Sequence, residues 1–113
     1  MLASALAIGA AGGAAFAQSK VPVYSVFEAH VKDEAAYAKA LPEVQKLIKD
    51  QGGEYVAGGF NKTKMQSGTP AGNRYVVIKW EDMAAFDKAF NNGIKAWVDK
   101  NAPDARQLVV EGK

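Results

Sequence analysis

The chain of 113 residues contains no cysteine and only one histidine. These absences exclude a disulfide framework, a cysteine nucleophile, a thiolate metal site and a metal site built from several histidines. Neither sign of charge is in large excess, because 14 lysines and arginines against 12 acidic residues leave a net charge of +2. So mild a charge does not predict a nucleic-acid partner. The remaining composition, 49% hydrophobic and 23% charged, is typical of one globular domain.

Residues 1–17 differ in composition from the rest of the chain. They carry no charge and end on Ala15-Phe16-Ala17, a small-x-small pattern of the kind that signal peptidase cleaves. The apolar run is shorter than the roughly 20 residues that span a bilayer. We therefore expect a signal peptide over residues 1–17, one domain over residues 18–113, and export to the bacterial periplasm or medium with no membrane attachment after cleavage. The alternative is an alanine-rich helix packed on the domain.

The rest of the chain alternates between strand and helix patterns. β-Branched and aromatic residues predict strands over residues 21–31, 54–65, 74–80 and 106–111. Gly58-Gly59 within the second strand predicts a bulge or a close backbone approach.

Two helical segments separate these strands. Asp33 is the expected N-cap of the first, which runs to residue 51, is kinked by Pro42 and is stopped by Gly52-Gly53. Asp82 is the expected N-cap of the second, which is interrupted at residues 91–93 and continues as a short turn.

The resulting order, βαββαβ, predicts a ferredoxin-like α+β fold. Right-handed crossovers place the first and third strands at the centre of a four-stranded antiparallel sheet, with both helices on one face. The other face still carries Tyr24, Val26, Tyr75 and Val77. Because an uncovered apolar patch of this size is unusual for a monomer, we expect a homodimer packed sheet to sheet, with a shared cavity.

Several segments together resemble a known family. They are Tyr24 to Asp33, the Asp33-x-x-x-Tyr37 pair, Gly52 to Tyr55, Asn73 to Trp80 and Leu108 to Gly112. Over essentially all of residues 22–112 the chain resembles the domain of unknown function 1330 family of small bacterial proteins. The resemblance implies a dimeric α/β-barrel and a homodimer, without a settled activity. The wider superfamily includes monooxygenases, muconolactone-type isomerases and chlorite dismutases.

The chain also departs from that family. Gly58 stands where members usually carry an arginine, and residues 89–95 replace a Trp-Tyr-x-Ser-Pro-x-Tyr stretch. The resemblance therefore implies that the usual family site is altered or lost. Haem would need an axial ligand, and His30 is the only histidine. It lies on a strand, whereas the resembled haem-degrading enzymes do not carry their axial ligand there, so the resemblance does not imply haem.

Glu28 and His30 are the candidate catalytic residues, with Tyr24 beside them. They lie two apart in one strand and so share a face, where a carboxylate can orient an imidazole general base. One histidine without a third orienting group favours a solvent-exposed rim pair without chemistry. The alternative is a cofactor-independent enzyme, monooxygenase-like or isomerase-like, that uses this cluster.

Arg74, Tyr75 and Lys79 are the candidate ligand-binding residues. Arg74 matches an arginine of the resembled family and is suited to hold a carboxylate in a bidentate fork. Pairing with Glu54 or Glu111 at the strand ends is the alternative. The function predicted first is thus an exported homodimer that binds a small molecule in a cavity at the sheet face, with no metal or cofactor.

Overall fold

A computed structural model describes residues 21–113, so the predicted signal peptide of residues 1–17 lies outside the described residues. The elements follow in the order β1 (Val23–Ala29), α1 (Glu34–Asp50), β2 (Glu54–Phe60), β3 (Arg74–Trp80), α2 (Met83–Ala89), a π-helical turn (Phe90–Ile94), α3 (Lys95–Asn101) and β4 (Arg106–Glu111). In this part of the chain, no helix combines the length and apolarity needed to cross a membrane.

The four strands form one antiparallel sheet in the order β2-β3-β1-β4. Strands β1 and β3 are central, as the right-handed crossovers predict. The order of the elements and of the strands confirms the ferredoxin-like α+β fold. Strands β3 and β4 occupy the residues predicted for them.

Strands β1 and β2 are shorter than predicted because β3 offers only seven residues for pairing. Ala29 of β1 and Phe60 of β2 both pair with Arg74, the first residue of β3. Beyond this row Asn61 adopts a left-handed φ of 55° and donates its N–H to the Asn73 carbonyl at 2.8 Å. The chain therefore turns away from the sheet at Asn61, well before residue 65.

Helix α1 begins and ends as predicted. The Asp33 carboxylate accepts the Ala36 N–H at 3.0 Å, which satisfies one of the free donors of the first turn. Gly52, with φ +95°, follows the helix and donates to the Lys49 carbonyl at 3.1 Å. Pro42 is exposed, and the helix continues through it to Asp50.

The second helical segment is interrupted where the sequence predicts it. The Asp82 carboxylate caps α2 by accepting the Ala85 N–H at 2.8 Å. Asn92 and Gly93 leave helical geometry, Gly93 with φ 112°, and α3 resumes beyond them. The second crossover is therefore two short helices joined by a π-helical turn.

Alternate residues of the central strands point to two different environments. The covered face, which packs against the helices, carries Val23, Ser25, Phe27 and Ala29 of β1 with Arg74, Val76, Ile78 and Trp80 of β3. Val23 is 0% and Trp80 2% exposed, and the Trp80 indole donates to the Ser25 hydroxyl at 3.0 Å. This face holds the core.

The open face carries the intervening residues in three rows across the sheet. Its middle row is apolar and consists of Ala57, Val77, Val26 and Leu108. Polar rows flank it, with Lys79 and Tyr24 on one side and Glu28 and Arg106 on the other. Leu108 is 51% exposed.

Candidate functional site

Arg74 is a cation held inside the covered face. It is the first residue of β3, and the strand alternation places it on the same side as Val76 and Ile78. Its exposed fraction is only 7%. Arginine is seldom buried to this degree without a partner, so the surroundings of Arg74 matter.

Aromatic rings surround the guanidinium of Arg74. Its central carbon lies 4.9 Å from the ring centre of Phe60 and 5.9 Å from that of Tyr37. The Tyr37 ring is itself packed edge-on against Phe60 at 5.6 Å and against Trp97 at 5.4 Å. These cation–π contacts, each worth about 0.5–2 kcal/mol, hold the side chain in place.

The Nε atom of Arg74 is buried and has no hydrogen-bond partner within residues 21–113. No carboxylate of these residues forms an ion pair with Arg74, and residues 1–20 contain no acidic side chain. A buried donor left unpaired costs roughly 1–3 kcal/mol, and more when it is charged. Such a group in a native fold calls for an explanation.

A cavity of about 50 Å³ lies between the covered face and the helices, and Arg74 lines it. Its walls are mostly apolar and include Val76, Ile78 and Trp80, and its polar lining comes from Ser25, Tyr37, Tyr55 and Gln107 besides Arg74. A mostly apolar enclosure with a few polar groups is the usual composition of a small-molecule site.

A cleft of about 330 Å³ adjoins this cavity along β2. The two share Tyr55, Arg74 and Val76, so Arg74 stands at their common wall. Gly58 lines the cleft with φ +106°, and a Cβ built there would lie 1.9 Å from the Tyr75 carbonyl oxygen. The predicted close backbone approach is thus confirmed, while the register irregularity of β2 falls between Tyr55 and Ala57.

Two tyrosine hydroxyls near Arg74 have shifted pKa values. Burial raises the pKa of Tyr37 above its ordinary value of 10.0, although the charge of Arg74 and a hydrogen bond from it act in the opposite direction. Burial likewise raises the pKa of Tyr55, against the charge of Arg74. Both hydroxyls therefore keep their protons at neutral pH and can donate hydrogen bonds.

The three candidate ligand-binding residues do not converge. Arg74 lies on the covered face, whereas Tyr75 and Lys79 lie on the open face. Successive side chains of a strand point to opposite faces of the sheet. Tyr75 and Lys79 lie an odd number of residues after Arg74 in β3, so their side chains point to the other face. The structure therefore does not bring these three residues together, and among residues 21–113 no ion pair joins Arg74 to Glu54 or Glu111.

Glu28 and His30 do not form a pair either. One Glu28 oxygen accepts the Gly72 N–H at 2.7 Å and the other lies 3.5 Å from Arg106 Nη1. His30 follows the end of β1, is exposed, and lines a different cleft from Glu28, at the end of the sheet beside Asp104. The carboxylate is occupied with holding the loop that precedes β3, so it does not orient the imidazole.

Tyr24, the third catalytic candidate, lies on the open face opposite Lys79 and Val110. Its ring packs by Gly112, where an added Cβ would come within 2.8 Å of it. Tyr24 is four residues from Glu28 along β1, in the polar row on the other side of the apolar one. The three catalytic candidates thus occupy three separate surroundings.

Tyr37 and Phe60 are the site residues that sequence reasoning did not identify as such. The sequence singles out Tyr37 only in the Asp33-x-x-x-Tyr37 pair and includes Phe60 only within the second predicted strand. The strand alternation offered a signal for Phe60. It lies two residues from Gly58, so the two residues share a face of β2, and in the structure it pairs with Arg74. Residues paired directly across an antiparallel sheet share a face.

The comparisons with known proteins agree with this fold. A family model described as "Domain of unknown function (DUF1330)" matches residues 22–94. The chain belongs to this family. The resemblance inferred from the sequence is therefore confirmed, and the match covers α1, the first three strands and α2.

Two solved structures are similar to this chain. A crystal structure of RPA0582, a protein of unknown function from Rhodopseudomonas palustris, is 16% identical with a TM-score of 0.66, covering 89% of this chain and 91% of that one. The crystal structure of methylated RPA0582 is 17% identical with a TM-score of 0.62, covering 89% of each chain. The comparison with curated proteins finds no match. At this identity the structural likeness establishes the fold alone.

Proposed function

We propose that this DUF1330 protein is an exported homodimer that binds a small molecule in the cavity beside Arg74. One observation carries the binding: the buried Nε donor of Arg74 lacks a partner in residues 21–113 and borders a mostly apolar cavity. A bound hydrogen-bond acceptor would remove the free-energy cost of the unpaired donor, and the mostly apolar walls of the cavity would contact the apolar part of the same molecule.

We locate the bound molecule in the cavity on the covered face, and not in the cavity expected between two sheets. Arg74, Tyr37 and Tyr55 supply its donors, and the adjoining cleft at β2 supplies an approach from outside. The enzymatic alternative needs Glu28 and His30 in one site, and these two residues line separate clefts. Binding is therefore the function that the geometry supports.

The binding proposal is tested by native mass spectrometry of protein purified from its host compartment. We expect a retained small molecule on the wild type and on Arg106→Met, and its loss from Arg74→Met. Arg106 is the matched control because it is the only other arginine and its side chain is 83% exposed. Equal retention by Arg74→Met, or no retained mass on any of the three proteins, contradicts the proposal.

The homodimer rests on the open face. Its apolar middle row lies between rows that carry both signs of charge, Lys79 on one side and Glu28 with Arg106 on the other. Val110 and Leu108 remain 49% and 51% exposed in one copy. A second copy related by a two-fold axis would cover this surface with its own equivalent, so we expect light scattering at micromolar concentration to give twice the monomer mass.

Export rests on residues 1–17 alone. Their uncharged composition and the Ala15-Phe16-Ala17 site favour removal by signal peptidase. N-terminal sequencing of protein from the periplasm or medium is expected to begin at Gln18 or within a residue or two of it. A soluble cytoplasmic protein that keeps Met1 would contradict export without affecting the binding proposal.

A further inference from the structure

We infer that the ligand is a small monocarboxylic acid whose carboxylate accepts from Arg74 Nε and whose apolar body lies in the cleft along β2. This inference rests on the proposed binding function and adds the chemical class of the ligand. It follows from three features of the site: its charge, its volume and the state of its hydroxyl groups.

The charge of the site calls for one negative charge on the ligand. Arg74 is the only charged side chain that lines either the cavity or the adjoining cleft among residues 21–113. A guanidinium matches a carboxylate in charge and in its planar pair of acceptors. A phosphate dianion would leave excess charge in an apolar enclosure, where uncompensated charge is costly.

The volume of the site orients the ligand. The inner cavity holds about 50 Å³, well below the roughly 150 Å³ that accepts benzene in an engineered protein core. The cleft holds about 330 Å³ and meets the cavity at Arg74. The carboxylate of the ligand therefore fits at the wall beside Arg74, and the apolar remainder of the ligand lies in the cleft, where Gly58 contributes no side chain.

The hydroxyl groups act as neutral donors. Because burial raises the pKa of Tyr37, its hydroxyl keeps a proton and does not neutralise Arg74 by ionising. The positive charge of Arg74 thus remains available to the ligand. A protonated Tyr37 beside Arg74 adds a second donor suited to a carboxylate oxygen.

The test follows the side-chain Nε–H signals of the uniformly ¹⁵N-labelled full-length protein during titration with sodium benzoate. The chain has two arginines, so Arg106→Lys assigns the two signals by removing one. We expect benzoate to shift the Arg74 signal saturably and to leave the Arg106 signal in place. Benzamide, which has the same shape without charge, is expected to bind at least about tenfold more weakly.

Two variants and two reporters complete the experiment. Arg74→Lys keeps the charge but lacks the planar donor, and Arg74→Met removes both, so each should weaken benzoate binding by about tenfold or more. The indole N–H signals of Trp80 and Trp97, which both line the cavity, report binding and folding independently of Arg74. The wild-type titration stays decisive if either variant fails to fold.

The outcomes separate the two proposals. If benzamide shifts the indole signals at the same concentration as benzoate, the carboxylate class is wrong while binding in the cavity stands. If phenyl phosphate binds more tightly than benzoate, the ligand class is a dianion and the inference is overturned. If benzoate moves neither Arg74 nor the indoles, the inference fails, and the retained mass in native spectrometry then decides the binding function separately.

Discussion

The two faces of the sheet are made by alternate residues of the same strands, yet they differ in what they lack. The covered face is packed against helices, and within residues 21–113 it holds one buried donor without a hydrogen-bond partner, Arg74 Nε. On the open face Glu28 pairs with Arg106, and no other part of residues 21–113 covers the apolar middle row, whose Leu108 is 51% exposed. A small hydrogen-bond acceptor would satisfy the donor on the covered face, whereas only a second surface as large as the middle row would cover the open face.

Neighbouring residues of β3 therefore serve separate purposes. Arg74 and Val76 belong to the proposed binding site, whereas Tyr75 and Val77 belong to the proposed interface. Substitutions one residue apart should therefore damage different properties.

Val76→Asp should have the largest effect. Val76 is 4% exposed in the core, so the variant buries a carboxylate among apolar side chains. We expect the free energy of unfolding to fall by about 3–5 kcal/mol, a large share of the 5–15 kcal/mol typical of a domain. Urea unfolding followed by circular dichroism measures the loss. A variant as stable as the wild type would contradict the assignment of Val76 to the core.

Val77→Asp should keep the fold and lose the dimer. Val77 lies in the middle row of the open face and is half-buried in one copy, so the carboxylate stays hydrated in the monomer. Burying it against a second sheet without a partner would cost several kcal/mol. Light scattering should therefore give the monomer mass, with an unchanged circular dichroism spectrum.

Ala38→Asp, on the exposed surface of α1, is the control for an added charge and should remain dimeric. A dimeric Val77→Asp would place the interface elsewhere. A wild type that is monomeric at micromolar concentration would remove the interface altogether.

Arg74→Met should separate stability from binding. The variant keeps a side chain of similar length and removes the Nε donor that has no partner in residues 21–113, but it also removes the cation–π contacts with Phe60 and Tyr37. Because these two effects oppose each other, we expect the free energy of unfolding to change by less than about 2 kcal/mol in either direction, while ligand binding is lost. Urea unfolding without ligand measures this. A loss of about 2 kcal/mol or more would mean that Arg74 serves the fold instead.

The fold was predictable because its signals are local and repeated. Asp33 and Asp82 cap their helices, Asn92 and Gly93 break the second one, and β3 alternates strictly between the two faces. The ends of β1 and β2 were not predictable in the same way. These ends depend on where β3 begins, because the last residues of β1 and β2 pair with Arg74, which is distant from both in the sequence.

The site was predictable only in part. Arg74 was identified, but it was grouped with Tyr75 and Lys79, which the same alternation places on the other face. The contacts of Arg74 with Tyr37 and Phe60 join α1, β2 and β3, and no spacing within one element reveals them. The role of Glu28 likewise depends on Gly72, which is 44 residues away.

Alkaline pH should reveal the burial of the Tyr37 hydroxyl. The pKa of Tyr37 is raised above 10.0 by burial, so the unfolded chain loses this proton before the folded chain does. Deprotonation then favours the unfolded state, and stability falls as the pH rises above about 10. Urea unfolding between pH 8 and pH 11 should show this decline, and Tyr37→Phe should make it shallower. An identical slope in both proteins would contradict the burial of the hydroxyl.

Glu28→Gln should have the smallest effect and tests whether the faces are independent. The amide oxygen of glutamine can still accept the Gly72 N–H, so only the ion pair with Arg106 is lost. Because the Arg106 side chain is 83% exposed, that pair is worth about 0–1 kcal/mol. Glu28→Ala also leaves the Gly72 N–H unpaired and should cost about 1–3 kcal/mol.

Both Glu28 variants should bind benzoate as the wild type does, because Glu28 lies on the face opposite Arg74. Urea unfolding gives the two stability changes, and the Arg74 Nε–H titration gives the affinity. If Glu28→Gln lowered the affinity about tenfold while leaving stability intact, the carboxylate would be part of the ligand site. The two faces would then act as one site, and the catalytic role considered for Glu28 would regain a physical basis.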